Sequence, residues 1–174
     1  QILIGAGCDE TMPMPFLAPG DLENAGLSST AISISNPLVQ EESLLRTSLM
    51  PGQLKIISYN QSHRIKKLKF FEIGHVYLPS EDNQLLPDER EYLSISIAGG
   101  DATEIVAILD MISLTMAFPN MQLKQQEIEG LHPGRSAQVF VAGQERGAVG
   151  EVDPRVLRNY GIDDSVAWLE LDLG

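Results

Sequence analysis

The stretch that most restricts how this 174-residue chain can fold runs from Ser35 to Asn60 and reads SNPLVQEESLLRTSLMPGQLKIISYN. A strand-like run over 31–35 meets Asn36-Pro37, and the residue before a proline is driven out of the helical region, so the chain must turn there. Met50-Pro51-Gly52 marks a second start, because proline fits the first helical turn, where its missing N–H costs nothing. A helix is predicted over 51–60, with Leu54 and Ile57 on its buried side and Ile56 beside them. Between the two starts, LLRTSLMPG sets Arg46 among leucines, followed by the hydroxyls of Thr47 and Ser48. That is more detail than burial alone requires.

On either side of this stretch the chain alternates strand and helix signals. Residues 1–7 read as a helix end passing into a turn. Gly5-x-Gly7 lacks the third glycine and the strand-before, helix-after context of a nucleotide loop. Residues 11–16, with two prolines in MPMPF, are predicted to run extended at an edge, since proline cannot donate to a sheet interior. A short helix over 21–26 closes at Gly26. Residues 31–35 alternate as a half-buried strand. Residues 68–78 form a mixed strand in which Gly74 allows a bulge or a close approach. A polar, acidic loop over 79–87 leads to a strand over 92–98, so the two strands are expected to pair antiparallel. Helix 101–118 has a cap at Asp101 or Thr103 and an apolar stripe of Ile105, Ile108, Leu109, Ile112 and Met116. Val106, Met111 and Leu114 widen that stripe, which fits either cover by a partner protein or a helix deep in its own core.

A strand over 121–128 precedes a tight polar loop over 130–136. Strands 137–142 and 147–152 are joined by a hairpin at 143–146. Asp153-Pro154 starts a helix that Gly161 ends, and a last strand covers 165–173, with Val166, Trp168 and either Leu169 or Leu171 inward. The pattern is α+β, a mixed and largely antiparallel sheet with helices inserted between strands, rather than a doubly wound fold. The length suits one domain, residues 1–174.

Composition narrows the chemistry. An apolar fraction of 43% and a charged fraction of 21% are those of a globular chain. A net charge of -12 argues against a broad nucleic-acid face. Arg64, Lys66, Lys67 and Lys69 are the exception, four of the twelve basic residues within one short turn. They read either as a solvated turn or as a contact to tRNA phosphate or an acidic partner. One cysteine, Cys8, allows no internal disulfide and fits a reducing, cytoplasmic setting. Neither an 18-residue apolar run nor a basic-then-apolar leader is visible, so no membrane partner is expected. The three histidines, His63, His75 and His132, are too scattered in sequence to suggest a zinc site. No G-x-S-x-G elbow and no Walker-type glycine loop occurs.

Four separated words, taken together, do point somewhere. NPL followed by E-x-S-x-x-R-T-S-L-x-P-G, then FFEIGHVY over Phe70–Tyr77 and LHPGRSA over Leu131–Ala137, resemble the catalytic-like module of the beta subunits of bacterial phenylalanyl-tRNA synthetases. The resemblance extends from about Gly5 to Leu173 and so covers only a piece of those much longer subunits. It implies the fold of a class II aminoacyl-tRNA synthetase catalytic domain, an antiparallel sheet flanked by helices. It also implies an alpha subunit partner in an (αβ)2 heterotetramer that joins phenylalanine to tRNA. ATP and magnesium would serve the parent enzyme, with no cofactor on this chain.

In class II ligases, arginines stabilise the charge on the α-phosphate. The strand LKFFEIGHVY keeps Glu72 but carries Phe70 where such an arginine would be expected, and WLELDLG near the end supplies no second one. The resemblance therefore implies a duplicated catalytic domain without catalytic residues, retained for its surfaces. Under this reading Arg46, Thr47, Pro51 and Gly52 shape an interface-forming or structural element. Arg46 could instead be an internal staple to Glu41, Glu42 or Glu72. Glu72 and Gly74 belong to the same structural set, as do His132, Pro133, Gly134 and Arg135, whose arginine would hold a partner carboxylate or brace its own turn. Relatives commonly have His-Pro where this chain has Asp153-Pro154, and aspartate caps a helix better. The alternative is a free-standing synthetase-like paralogue that binds a small amino acid or another protein. A stand-alone ligase is disfavoured by the missing arginines.

Overall fold

The computed structural model describes residues 1–28, 30–80 and 86–174. In chain order the elements are α1 (Ile2–Gly5), β1 (Asp9–Glu10), β2 (Phe16–Leu17), α2 (Asp21–Asn24), a 3-10 turn (Gln40–Glu42), β3 (Leu44–Leu45), α3 (Met50–Ser62), β4 (Leu68–Leu78), β5 (Asp88–Ala98), α4 (Ala102–Thr115), β6 (Gln122–Gln125), β7 (Leu131–Val141), β8 (Gln144–Val152), α5 (Pro154–Asn159) and β9 (Val166–Asp172). The main sheet has the order β1-β4-β5-β9-β8-β7-β6, and β2 pairs with β3 in a separate ribbon. Neighbours in the main sheet run antiparallel except β1, which pairs parallel with β4 through Asp9 and Glu10 opposite Phe70 and Phe71. The expected α+β architecture with a mixed, largely antiparallel sheet is the one observed.

Each face of the sheet has its own core. On one face α3 and α5 set Leu49, Met50, Leu54, Ile57, Val156 and Leu157 against Leu68, Phe70, Val152, Val166 and Trp168. On the other, α4 packs Ile105, Ile108, Leu109 and Ile112 onto Phe71, Leu93, Ile95, Val149, Leu169 and Leu171. Fully burying one such side chain stabilises by roughly 1.5–3 kcal/mol, so two layers of them can hold a sheet that presents little apolar area at its centre. Because β9 lies between the two cores, its even and odd residues are both buried. That is why Leu169 and Leu171 both face inward, on the side opposite Val166 and Trp168.

Several boundaries differ from the sequence reading, each for an identifiable reason. Residues 31–35 form no strand; a single bridge joins Ser33 to Leu44, and the partner side leaves the extended conformation at the 3-10 turn Gln40–Glu42. The strand expected over 92–98 begins at Asp88, its charged start lying exposed opposite Leu78. The strand expected over 121–128 shrinks to Gln122–Gln125. Helix α3 reaches Ser62 and α4 stops at Thr115, leaving Leu114 and Met116 exposed. Residues 130–136 are not a free loop but the start of β7. There β7 advances from Leu131 to Ser136 while β8 moves only from Val152 to Gly150, so the LHPGRS word forms a wide bulge. Part of the polar loop expected over 79–87, residues 81–85, lies outside the described residues.

Candidate functional site

A polar row crosses the centre of the sheet. The pairings Glu72 with Ser94, Ser94 with Glu170, Glu170 with Ala148, Ala148 with Gln138 and Gln138 with Lys124 put six side chains in register on the face that α3 covers. The row below it reads Phe70, Ser96, Trp168, Gly150 and Ser136. Burial of carboxylates and hydroxyls at mid-sheet is expensive without partners. Partners for Glu72 Oε1 and for Glu170 come from the segment preceding and opening α3, while Glu72 Oε2 and Ser94 Oγ are buried without one among the described residues.

Arg46 is the first of them. The residue is buried, 6% exposed, and its Nε donates to the His75 carbonyl at 2.8 Å while its NH1 meets Glu72 Oε1 at 2.5 Å. The Arg46 carbonyl accepts from the Tyr77 amide at 2.8 Å, so backbone and side chain both tie this segment to β4. Gly74 shows why the strand is glycine there: a Cβ would overlap the Arg46 guanidinium. The register of β4 with β5 is unbroken across it, so close approach, not a bulge, is its role. Burial pushes the Glu72 carboxyl above its ordinary value and the Arg46 charge opposes the rise. Of the candidate partners Glu41, Glu42 and Glu72, the guanidinium is spent on Glu72.

Glu170 is the second anchor. Its carboxylate accepts from the Ser48 hydroxyl at 3.0 Å and from the Leu49 amide at 2.7 Å, and Ser48 Oγ accepts from the Met50 amide at 3.1 Å. Two amides at the start of α3 are thereby satisfied, in a position where negative charge also suits the helix dipole. Desolvation pushes the Glu170 carboxyl up to about 7, against the opposing hydrogen bonds from Leu49 and Ser48. Gln53 completes the set. It is fully enclosed, donating to Thr11 Oγ1 at 2.7 Å and accepting from Ser96 Oγ at 2.7 Å. The α3 face of the sheet is therefore filled at its centre by the chain's own Arg46, Leu49, Met50 and Gln53.

Thr47, Pro51 and Gly52 lie in this same plug, the first two buried and Gly52 packed close to Pro13. The bulge residues are elsewhere. His132 is half-buried, with Nδ1 accepting from the Gly134 amide at 3.1 Å. Pro133 borders a cleft of about 520 Å³ with Asp153 and Arg155. Arg135 pairs with Glu151 Oε2 on β8 at 2.5 Å, rather than with backbone carbonyls of its own turn. Asp153 does cap α5, accepting from the Arg155 amide at 2.7 Å. In the basic turn, Lys69 pairs with Glu104 at 2.6 Å, while Arg64, Lys66 and Lys67 are exposed. Sequence reasoning missed Glu170, Gln53 and Ser96. Each reads as an ordinary strand or helix residue, and only the strand order brings them under Arg46.

Among the described residues, no group of three or more His, Cys, Asp or Glu side chains could hold a metal ion. No helix there is long and apolar enough to cross a membrane.

Comparison with known proteins agrees with this geometry. The fold matches a pyrrolysyl tRNA synthetase from Desulfitobacterium hafniense with a TM-score of 0.77 at 15% identity, covering 99% of this chain and 62% of that one. The architecture is thus that of a class II tRNA synthetase catalytic domain. In sequence, the chain is 32% identical over 99% of its length to a phenylalanine–tRNA ligase beta subunit of Clostridium tetani, of which it spans 23%. It is 34% identical to the beta subunit of Aeropyrum pernix, of which it spans 31%. It therefore covers less than a third of either relative. The family model described as the phenylalanyl tRNA synthetase beta chain CLM domain matches residues 1–173, and this chain belongs to that family.

Proposed function

We propose that this chain acts as the non-catalytic, class II-like module of a longer phenylalanine–tRNA ligase beta subunit. On this reading it packs against an alpha subunit in an (αβ)2 assembly. The alpha subunit activates phenylalanine with ATP and magnesium and passes it to tRNA, and this module supplies a scaffold rather than reactive groups.

The observation that carries the reading is the occupied sheet centre. A catalytic face must leave room for substrates and aim cations at developing phosphate charge. Here Arg46 is spent on Glu72, Glu170 on the head of α3, and Phe70 is buried in the apolar cluster. A surface is left over instead. Met12 and Leu38 are 90% and 95% exposed, and a cleft of about 470 Å³ is lined by Pro13, Met14, Phe16, Ile56 and Tyr59. Exposed apolar groups of this kind mark contact surfaces.

Co-expression of the longer beta subunit with an alpha subunit tests the reading. Met12→Asp/Leu38→Asp should abolish co-purification of the two while the variant chain keeps its thermal transition. ATP–pyrophosphate exchange dependent on phenylalanine should be absent from this chain by itself. Exchange catalysed by the purified chain would refute the non-catalytic role.

A further inference from the structure

The oxidisable sulfur of this chain, one cysteine and six methionines, is unevenly placed. Cys8 is buried in the core that α4 covers. Burial pushes its thiol above the ordinary value, so little of the reactive thiolate forms. Met50 is enclosed at the start of α3, and Met111 and Met121 are half-buried. Met12, Met14 and Met116 are the exposed ones. Met12 and Met14 stand on either side of Pro13, on the surface proposed to meet the alpha subunit, with Met14 in the wall of its cleft. Met116 lies on the α4 face of the sheet, at the end of that helix.

The segment that carries Met12 and Met14 is held by its other residues. The Thr11 amide and hydroxyl both donate to the Phe71 carbonyl, at 2.8 and 3.2 Å, and Thr11 Oγ1 accepts from Gln53 at 2.7 Å. Pro13 sits so close to α3 that a Cβ on Gly52 would lie 3.0 Å from the proline ring. Thr11 and Pro13 are half-buried while Met12 and Met14 are exposed, the alternation expected of an extended run. A change at either sulfur therefore alters the surface without breaking an anchor.

The chemical change is large. A thioether is apolar and adaptable, which suits a contact surface, whereas a sulfoxide is polar. With hydrogen peroxide as oxidant, the sulfur lone pair attacks one peroxide oxygen, and the O–O bond breaks as the S–O bond forms. The proton on the transferred oxygen passes to the other, which leaves as water. Sulfur is oxidised and the peroxide reduced, with no further reactant. Burying the sulfoxide oxygen in an apolar contact without a donor should cost about tenfold in affinity.

We propose that Met12 and Met14 form a redox-sensitive patch, at which peroxide oxidation before assembly weakens union with the alpha subunit and reduction of the sulfoxides restores it. This rests on the contact surface put forward under the proposed function and concerns the regulation of that surface.

Peroxide treatment of the longer beta subunit, followed by peptide mass spectrometry and titration with an alpha subunit, tests it. Sulfoxide should form at Met12 and Met14 ahead of Met50 in the free subunit and be suppressed in the preformed complex. Affinity for the alpha subunit should fall about tenfold or more on treatment, and methionine sulfoxide reductases acting on both epimers should recover it. Treated and untreated Met12→Leu/Met14→Leu should bind alike, whereas Met116→Leu should lose affinity on treatment as the parent does. Weakening that persists in Met12→Leu/Met14→Leu, or complete sulfoxide at both positions with unchanged affinity, would overturn the proposal. The contact surface itself is judged separately. If Met12→Asp/Leu38→Asp still co-purifies with the alpha subunit, that surface and this inference fall together. If that variant loses its partner while oxidation leaves affinity unchanged, only this inference falls.

Discussion

The Leu49 amide donates to the Glu170 carboxylate at 2.7 Å, so a side chain from the last strand caps a helix that starts far upstream in the chain. Through this bond the end of the sheet is tied to the LLRTSLMPG word. The cost is a carboxylate beneath α3, and the position of its proton equilibrium measures that cost. In the unfolded chain Glu170 releases its proton near 4.5, while in the fold it holds it to about 7. The folded state therefore binds the extra proton between those values. Stability from this group is complete below about pH 4.5 and declines as pH rises through about 7.

Glu170→Gln keeps an oxygen acceptor for Leu49 and Ser48 but cannot ionise. Denaturant melts of parent and variant from acid to pH 8 should give a stability difference that shifts in the variant's favour by about 2–3 kcal/mol across that window. Glu129 and Asp153, whose carboxyls are held low by hydrogen bonds from Ser28 and Arg155, contribute the opposite slope in the acid range. They cancel in the difference. A pH-independent difference would contradict the proton-retaining state of the half-buried Glu170.

The Arg46–Glu72 pair should behave as one unit. Removing the cation alone, as in Arg46→Met, leaves a buried carboxylate uncompensated and should cost roughly 3–5 kcal/mol. The loss should grow as pH rises, because Glu72 without its cation is driven further toward the protonated form. Arg46→Met/Glu72→Leu removes both charges and should be less damaging than Arg46→Met by itself. Chemical unfolding of the four members of the cycle checks this, and additive effects would deny the coupling.

Much of the architecture was legible in the sequence. The 3.6-residue stripe of α4, the proline start of α3 and the Asp153-Pro154 start of α5 are local signals, and local rules read them. The site was less so. Arg46 stood out because an arginine among leucines demands a partner, but Glu41, Glu42 and Glu72 were equally plausible until the strand order placed Glu72 beneath it. Glu170, Gln53 and Ser96 carry no local signal, since their meeting is set by pairing across β5 and β9. The bulge at LHPGRS was mistaken for a loop because Pro133 and Gly134 signal a turn whether or not flanking residues pair.

That bulge makes its own prediction. Gly150 on β8 lies where the strand passes beneath the Arg135 carbonyl, and a Cβ there would collide with that oxygen and approach Ser136 Cα at 2.9 Å. Both are backbone atoms and cannot rotate away. Gly150→Ala should therefore destabilise by several times the usual cost of a surface change, about 2–4 kcal/mol. Gly143→Ala, at a turn where an added Cβ meets nothing within 4 Å, should cost only the strain of its left-handed backbone, about 1 kcal/mol. Equal melting temperatures for the two variants would show that β7 and β8 are not in close contact at the bulge.

Gln53 offers the test of how fully the sheet centre is plugged. Its amide satisfies Thr11 from the segment after β1 and Ser96 from β5 at once, so one helix residue fixes the height of α3 above the sheet. Gln53→Met has similar volume but strands the Ser96 hydroxyl, which is fully buried, while Thr11 keeps its donation to the Phe71 carbonyl at 3.2 Å; a lost partner costs about 1–3 kcal/mol when the group stays buried. Ser96→Ala added to Gln53→Met removes the stranded group and should recover part of the loss. Thr11 lies nearer the surface and can turn to water, so Thr11→Ala added to Gln53→Met should recover little. Thermal melts of the three variants decide it. Equal recovery from both second substitutions would mean that Thr11 is as deeply enclosed as Ser96, and no recovery from Ser96→Ala would mean that the hydroxyl finds another partner when Gln53 is gone.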